Sequence, residues 1–190
     1  MGTNGLYGFR KNGIDKLAYQ HFDSYPAYLG KRFYNLCKDL GSDNLSKLYD
    51  LVVVVDKDSI PTASQVSICL NCGYTSLSVL DGWPTNWYLL LYNLRKDFSL
   101  YKKALRYTDE VFMPESKDFI KNSLYCDYAY IANLDTGKFE VYKGFDNKPQ
   151  KGNRYGMTPN EEGYYPCQLW KTFSIDSKKR TKWFDNHMHH

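Results

Sequence analysis

The chain has 190 residues and a net charge of +4, from 25 basic and 21 acidic residues that are mostly interspersed. A dedicated nucleic-acid-binding protein concentrates Lys and Arg on one element, so this charge pattern argues against specific nucleic-acid binding. No stretch approaches the ~20 apolar residues of a membrane span, and no secretory signal precedes the 5 cysteines, so we expect a cytoplasmic protein without a membrane partner.

The first predicted element is a β-hairpin. Residues 6–11 and 14–22 show strand-like alternation on either side of Asn12 and Gly13. Asn-Gly tolerates positive φ at both central positions of a type I′ turn, and such turns join antiparallel strands. We therefore expect the two segments to pair near the middle of a sheet.

Helices are predicted between residues 26 and 123, where apolar side chains recur with helical spacing between start and stop residues. The first helix covers residues 26–40 and ends at Gly41, and the second begins after a cap at Ser42 or Asp43. Three further helices cover residues 62–70, 85–106 and 116–123. The helix over 85–106 is the longest and is expected to pack centrally on the sheet. Residues 52–55 fit a helix or a strand, and residues 71–84 are expected to be irregular because glycine and proline interrupt them.

A second hairpin is predicted where residues 125–133 and 138–143, both rich in Tyr, Ile, Val and Phe, flank a turn. A loop over 147–163 and a final strand over 168–173 follow. Hairpins towards both ends of the chain, with helices between them in place of repeated βαβ units, favour an α+β fold. We expect an antiparallel sheet, built from the two hairpins and packed against several helices.

The length suits one domain, which we place at residues 1–175. Residues 176–190 are expected to form a basic C-terminal tail, and residues 187–190 could be the remnant of a tag. The oligomeric state is left open.

The candidate site lies where the first hairpin leads into the first helix. Alternation places Tyr19, His21 and Asp23 on one face of the strand. Ser24 or Asp23 is expected to cap the helix that follows. The small residues 3–5 should approach this junction, giving a pocket of hydroxyls, one imidazole and helix N–H groups for a small polar or anionic ligand. The residues predicted to bind it are Thr3, Asn4, His21, Asp23, Ser24 and Tyr25.

A purely structural role for the same residues is the favoured alternative. In it, His21 packs against tyrosines and Asp23 or Ser24 only caps the helix. The functional surface would then lie elsewhere, with the loop over residues 145–165 as the first choice.

The cysteines do not predict a metal site. Cys69 and Cys72 have the spacing of half a zinc site, but no second pair with matching spacing exists. We expect buried free thiols, no bound metal and no cofactor.

The segment Met1-Gly2-Thr3-Asn4-Gly5-Leu6-Tyr7 and the stretch from Tyr19 to Gly30 resemble an uncharacterised family of small viral, phage, bacterial and fungal proteins. Those proteins open with a Met-Gly-Thr segment and carry an Asn-His-Trp-Asp-Ser-Tyr-Pro type of motif, from which this chain departs at Gln20 and Phe22. The resemblance covers about the first thirty residues and implies common ancestry more than any activity. The order of elements is also similar to that of N-terminal-nucleophile hydrolases.

The resemblance and the residues together predict a phage- or viral-type accessory protein that binds a host protein or a small polar ligand. Such a protein would act in the host cytoplasm, and a counter-defence role is expected. The alternative is a small amidohydrolase that uses Thr3, His21 and Asp23. It requires trimming of the chain, because an N-terminal nucleophile uses its own free amine as the base.

Overall fold

A computed structural model describes residues 2–80, 82 and 86–187 of the chain. The predicted α+β class is confirmed, since a five-stranded sheet packs against helices. The strands are β1 (Gly5–Lys11), β2 (Ile14–Gln20), β3 (Val52–Val55), β4 (Val111–Pro114), β5 (Tyr128–Asn133), β6 (Lys138–Lys143) and β7 (Gln168–Ser174). The helices are α1 (Lys31–Leu51), α2 (Ala63–Cys72), α3 (Trp87–Leu90), α4 (Tyr92–Lys96) and α5 (Ser99–Tyr107). Short π- or 3₁₀-helical turns cover Pro26–Gly30, Lys117–Lys121 and Trp183–Asn186.

Both predicted hairpins form. β1 pairs antiparallel with β2 along its whole length, and the turn between them has φ of 53° at Asn12 and 73° at Gly13. Glycine adopts such positive φ values at little cost, and asparagine does so more readily than most residues. β5 and β6 also pair antiparallel, and β7 adds to the free edge of β6.

The sheet is mixed, whereas the sequence predicts an antiparallel sheet. The strand order is β2-β1-β5-β6-β7, and β1 pairs with β5 in parallel. The first hairpin therefore places β1 inside the sheet but β2 at its edge. Hairpin signals specify only the pairing within each hairpin, whereas the long helical connection between β1 and β5 supplies the crossover that a parallel pair needs.

Residues 52–55, which fitted a helix or a strand, form strand β3. They pair in parallel with β4 in a separate two-stranded sheet. The sequence pattern does not predict β4, because this strand is only four residues long and ends in Pro114. A strand this short carries little alternation from which to predict it.

The helical region follows the prediction in its first half and departs from it in its second. Gly41 interrupts α1 with φ of 71° and ψ of 168°, at the position where one predicted helix ends and the next begins. The predicted helix over 85–106 is instead broken into α3, α4 and α5. The carbonyl oxygen of Tyr74 accepts the backbone N–H groups of Asn93 (2.9 Å) and Leu94 (3.4 Å), which replaces bonds that a continuous helix would make.

The strands β1, β5 and β6 are buried on both faces of the sheet. Tyr7, Phe9, Tyr130 and Phe139 face α1 and α5 in the larger core. A smaller core on the other face contains Leu6, Leu17, Ile131 and Tyr142, beneath the turn Lys117–Lys121 and the loop before β7. Alternation along β1 and β5 explains how neighbouring residues serve opposite cores.

The segment predicted as a basic tail contains one residue of the larger core. Phe184 is buried and its ring lies 4.9 Å from that of Tyr34 and 5.3 Å from that of Phe173, measured between centroids.

Within the described ranges, no helix combines the length and the apolar character needed to cross a bilayer.

Candidate functional site

The predicted site residues converge at the start of β1, but they form a closed junction. The backbone N–H of Ser24 donates to the carbonyl of Thr3 (3.3 Å), and the Tyr130 hydroxyl donates to the carbonyl of Ser24 (2.8 Å). Ser24 and Thr3 are buried, with exposed fractions of 0% and 3%. Tyr25 is half-buried, and its ring centroid lies 6.4 Å from that of Tyr128. The junction itself therefore offers little open space for a ligand.

His21 belongs to a polar chain on one side of this junction. Its Nδ1 atom lies 2.8 Å from the hydroxyl of Tyr19, which donates to the side-chain oxygen of Asn4 (3.1 Å). Because the hydroxyl has a single proton, its bond to Asn4 requires the His21 Nδ1 atom to carry a proton and donate to Tyr19. The Phe22 ring covers the imidazole at a centroid distance of 3.7 Å.

Asp23 does not join that chain. Positive φ values at Phe22 (67°) and Asp23 (53°) turn the backbone away after β2 ends, so the expected strand face of Tyr19, His21 and Asp23 does not form. Asp23 is exposed, and no hydrogen bond or ion pair links it to His21 in the described part of the chain.

The predicted helix cap is also wrong. The helical segment begins after Tyr25, whose side chain makes no capping bond, and Pro26 occupies the first turn. Proline has no N–H to satisfy there, so less is gained from a capping side chain. The Ser24 hydroxyl instead donates to the carbonyl of Gln20 (3.3 Å), and Asp23 contributes only its backbone carbonyl, to Leu29.

A large cleft, which is not among the sites predicted from the sequence, opens beside this junction. It measures about 1020 Å³ and lies between the edge strand β2, the small sheet β3–β4, the helices α3 and α4, and the turn Lys117–Lys121. Aromatic rings contribute much of its wall, from Tyr19, Trp87, Tyr88, Phe112 and Phe119. Tyr19 lines the cleft, so the polar chain of His21 and Asn4 lies directly behind this wall.

Two tyrosine hydroxyls form the inner end of the cleft. Tyr7 comes from β1 and Tyr101 from α5, and their oxygen atoms lie 3.2 Å apart. Burial raises the pKa of both hydroxyls, so both stay protonated at neutral pH. The pair has two hydroxyl protons. One lies in the hydrogen bond between the two oxygens, and no described residue accepts the other.

Arg95 brings a positive charge to the same cleft. Its guanidinium carbon lies 3.4 Å from the centroid of the Tyr88 ring, and the side chain is half-buried. No carboxylate among residues 2–80, 82 and 86–187 forms an ion pair with it. Burial lowers the pKa of this guanidinium, but the group stays protonated at neutral pH.

The acidic groups of the cleft lie at its exposed rim and have partners there. Glu115 forms an ion pair with Lys117 (2.7 Å), and Asp118 forms one with Lys121 (2.6 Å). Asp56 accepts a backbone N–H from Asp58 (3.0 Å). The rim is thus nearly neutral, while the polar side chains described in the interior are two hydroxyls and one cation.

One sequence signal could have indicated this surface. Tyr88 and Arg95 are seven residues apart within the predicted helix over 85–106, and two turns of a continuous helix would place both side chains on one face. The other walls come from strands and turns far apart in the sequence, so no local pattern connects them.

The cysteines are buried free thiols, as predicted. Burial raises the pKa of Cys69 to about 12 and also raises that of Cys37, so neither is a thiolate at neutral pH. The described residues contain no group of three His, Cys, Asp or Glu side chains that could hold a metal ion.

The loop over residues 145–165 borders a smaller hollow of about 310 Å³. Glu140, Tyr142 and Arg154 line it, and the two forked bonds from Arg154 to Glu140 (3.0 and 2.5 Å) fill its polar side. The polar groups here already satisfy one another, so the larger cleft is the better candidate site.

Comparison of the chain with protein-family models, with curated proteins and with solved structures gave no match.

Proposed function

We propose that this protein is a binding protein that takes up a small organic ligand in the aromatic cleft. The single observation that carries the proposal is the cleft itself, about 1020 Å³ in volume and walled by aromatic rings. Ligand sites in proteins commonly measure about 300–1,000 Å³ and combine apolar walls with a few polar groups. The Tyr7 and Tyr101 hydroxyls and the Arg95 guanidinium supply those polar groups here.

The origin and location of the protein remain part of the proposal. The resemblance of the first thirty residues supports a phage- or viral-type accessory protein acting in the host cytoplasm, and uptake of a small host molecule would suit counter-defence. Binding of a host protein is the other mode that the sequence suggested. The concave form of the cleft, with the buried Tyr7 and Tyr101 side chains in its lining, favours a small molecule over a protein surface.

The amidohydrolase alternative has its own test. Thr3 would have to become the first residue, yet it is buried and its carbonyl is bonded to the N–H of Ser24. Measurement of the intact mass decides: loss of Met1 alone leaves Gly2 in front and argues against this alternative. Additional loss of Gly2 would support it.

The ligand-binding proposal can be tested with a fragment library and ligand-observed NMR, with a variant that fills the cleft. Val54 lines the cleft and is 39% exposed, so Val54→Trp adds an indole to the cleft at small risk to the fold. We expect fragments that bind the native protein to lose binding in this variant.

Leu77→Trp is the matched control, because Leu77 is 76% exposed and does not line the cleft. It should bind every fragment as the native protein does. A native protein that binds no fragment, or fragments that bind Val54→Trp unchanged, would contradict the proposal.

A further inference from the structure

The polar side chains described at the inner end of the cleft are two hydroxyls and one cation, without a carboxylate. Of the groups described above, the Tyr7 and Tyr101 hydroxyls have one spare proton and Arg95 has its guanidinium N–H groups. The carboxylates Asp56, Glu115 and Asp118 lie at the exposed rim, each with a partner. A ligand anion that enters this end therefore meets a positive charge and hydroxyl donors, with no carboxylate of the described lining beside them.

The Arg95 guanidinium keeps N–H groups for a ligand beyond its contact with Tyr88. Its carbon atom lies 3.4 Å from the Tyr88 ring centroid, and a guanidinium carries five N–H donors, more than one tyrosine can engage. Tyr88 also holds the side chain in place, which reduces the entropy lost when an anion binds. Carboxylates and phosphates are the groups whose oxygen atoms match this fork.

The Arg95 charge and the tyrosine pair act on the same region. All three side chains line the same cleft, and the positive charge of Arg95 lowers the pKa of both hydroxyls, against the larger effect of burial. An anion placed there would gain from the unpaired cation in a region partly shielded from water.

The remaining walls specify the rest of the ligand. Trp87 packs against Phe112 with ring centroids 5.4 Å apart, and Tyr19 packs edge-on against Phe119 at 5.2 Å. Aromatic walls of this kind favour a planar ring over a flexible chain, because offset and edge-to-face contacts add to the burial of apolar surface.

We infer that the cleft binds a planar aromatic ring that carries a carboxylate or a phosphate, with the anionic group held by Arg95, Tyr7 and Tyr101. This inference rests on the proposed function, because it names the ligand class of the same cleft. It adds a preference for negative charge that a merely apolar cleft would lack.

The test is isothermal titration calorimetry with four probes: benzoate, phenyl phosphate, inorganic phosphate and benzamide. Benzamide has nearly the shape of benzoate but no charge. We expect benzoate or phenyl phosphate to bind at least about tenfold more tightly than benzamide, since a hydrogen bond to a charged group contributes more than a neutral one. Comparison of the two anions tells a carboxylate site from a phosphate site, and weaker binding of inorganic phosphate shows the contribution of the ring.

Two substitutions connect the preference to Arg95. Arg95→Met keeps an apolar stem against Tyr88 and should reduce the preference for the anion to about twofold or less. Arg95→Lys keeps the charge without the fork and should retain part of it. Arg106→Met, an exposed arginine on α5, is the control and should leave all affinities unchanged. Thermal unfolding of each variant shows whether it folds. If an Arg95 variant does not fold, the double variant Tyr7→Phe/Tyr101→Phe takes its place in the test.

The outcomes separate this inference from the proposed function. Equal affinities for benzoate and benzamide, both lost in Val54→Trp, would overturn the anion site and leave the binding cleft in place. An anion preference that survives Arg95→Met would also overturn it. Failure of all four probes, together with failure of the fragment screen, would overturn both.

Discussion

Arg154 and Glu140 form the most connected pair of charged side chains among the described residues. The forked guanidinium donates to both carboxylate oxygens of Glu140, which also accept bonds from Asn133 (2.8 Å) and Tyr142 (3.1 Å). Glu140 is buried, so its charge depends on these partners in place of water.

We predict that Arg154→Met lowers the free energy of unfolding by about 3 kcal/mol, because it leaves the Glu140 carboxylate buried without its cation. Urea unfolding measures this change. The double variant Glu140→Gln/Arg154→Met should recover part of the loss, since it removes the buried charge as well. Lys121→Met breaks only an exposed pair and should cost less than about 1 kcal/mol. Equal effects of Arg154→Met and Lys121→Met would show that the network does not contribute.

At the scale of elements, a single carboxylate connects the turns of both hairpins. Asp135 lies between β5 and β6 and accepts the backbone N–H groups of Asn12 (2.6 Å) and Gly13 (2.9 Å) in the turn of the first hairpin. Both bonds lower the pKa of Asp135, and the bond to Gly13 has the larger effect. The two hairpins are thus joined at their tips as well as through the β1–β5 pair.

The contribution of Asp135 should depend on pH. Its pKa is lower in the folded protein than the value of about 3.9 in an unfolded chain. The stabilisation is therefore fully present above about pH 4 and is lost as the pH falls through the folded pKa. Urea unfolding between about pH 2 and pH 6 should show a shallower loss of stability on the acid side for Asp135→Asn than for the native protein.

Asp43→Asn is the control for this pH series. Asp43 is exposed and accepts no hydrogen bond from the described residues. Its replacement should leave the native profile unchanged. A profile of Asp135→Asn that runs parallel to that of the native protein at all pH values would argue against the turn-to-turn bonds.

The break in α1 gives a second prediction at this scale. Gly41 has φ of 71° and ψ of 168°, a conformation that side chains with a Cβ atom adopt only with strain. An added Cβ would lie 3.4 Å from the nearest atom, a carboxylate oxygen of Asp176, so space is not the obstacle. We predict that Gly41→Ala costs about 1–3 kcal/mol by chemical denaturation. Lys47→Ala, on the exposed side of α1, should change stability by less than about 0.5 kcal/mol.

At the scale of the whole molecule, the C-terminal segment completes the larger core. Phe184 packs against Tyr34 of α1, Phe139 of β6 and Phe173 of β7. Lys38 Nζ also donates to the carbonyls of Ile175 (2.7 Å) and Ser177, which holds this segment against α1. The segment beyond residue 175 thus covers apolar surface on both the sheet and the helix.

We predict that Phe184→Ala lowers the free energy of unfolding by about 3–5 kcal/mol, the usual range for removal of a fully buried phenylalanine. Truncation after Ser177 should cost at least as much, because it also removes Trp183. Differential scanning calorimetry of both variants measures the loss. Leu77→Ala, at an exposed site, should unfold like the native protein. Native-like stability of the truncated chain would show that residues 1–175 suffice.

The sequence by itself determined the elements that depend on neighbouring residues. The Asn12-Gly13 turn, both hairpins, the final strand and the break at Gly41 follow from backbone preferences and alternation within about twenty residues. The burial of all five cysteines also followed from residue type. The same reasoning brought the start of the chain close to residues 21–25, where Ser24 does bond to Thr3.

Only the tertiary structure decided how these elements combine and where a ligand could enter. The parallel pair of β1 with β5, the small sheet β3–β4 and the breaks in the predicted helix over 85–106 all depend on partners far away in the chain. The cleft has the same origin: Tyr7 and Tyr101 meet across 94 positions, and no pattern around either residue predicts the other. Local preferences specify one segment at a time, whereas a binding site needs side chains that only packing brings together.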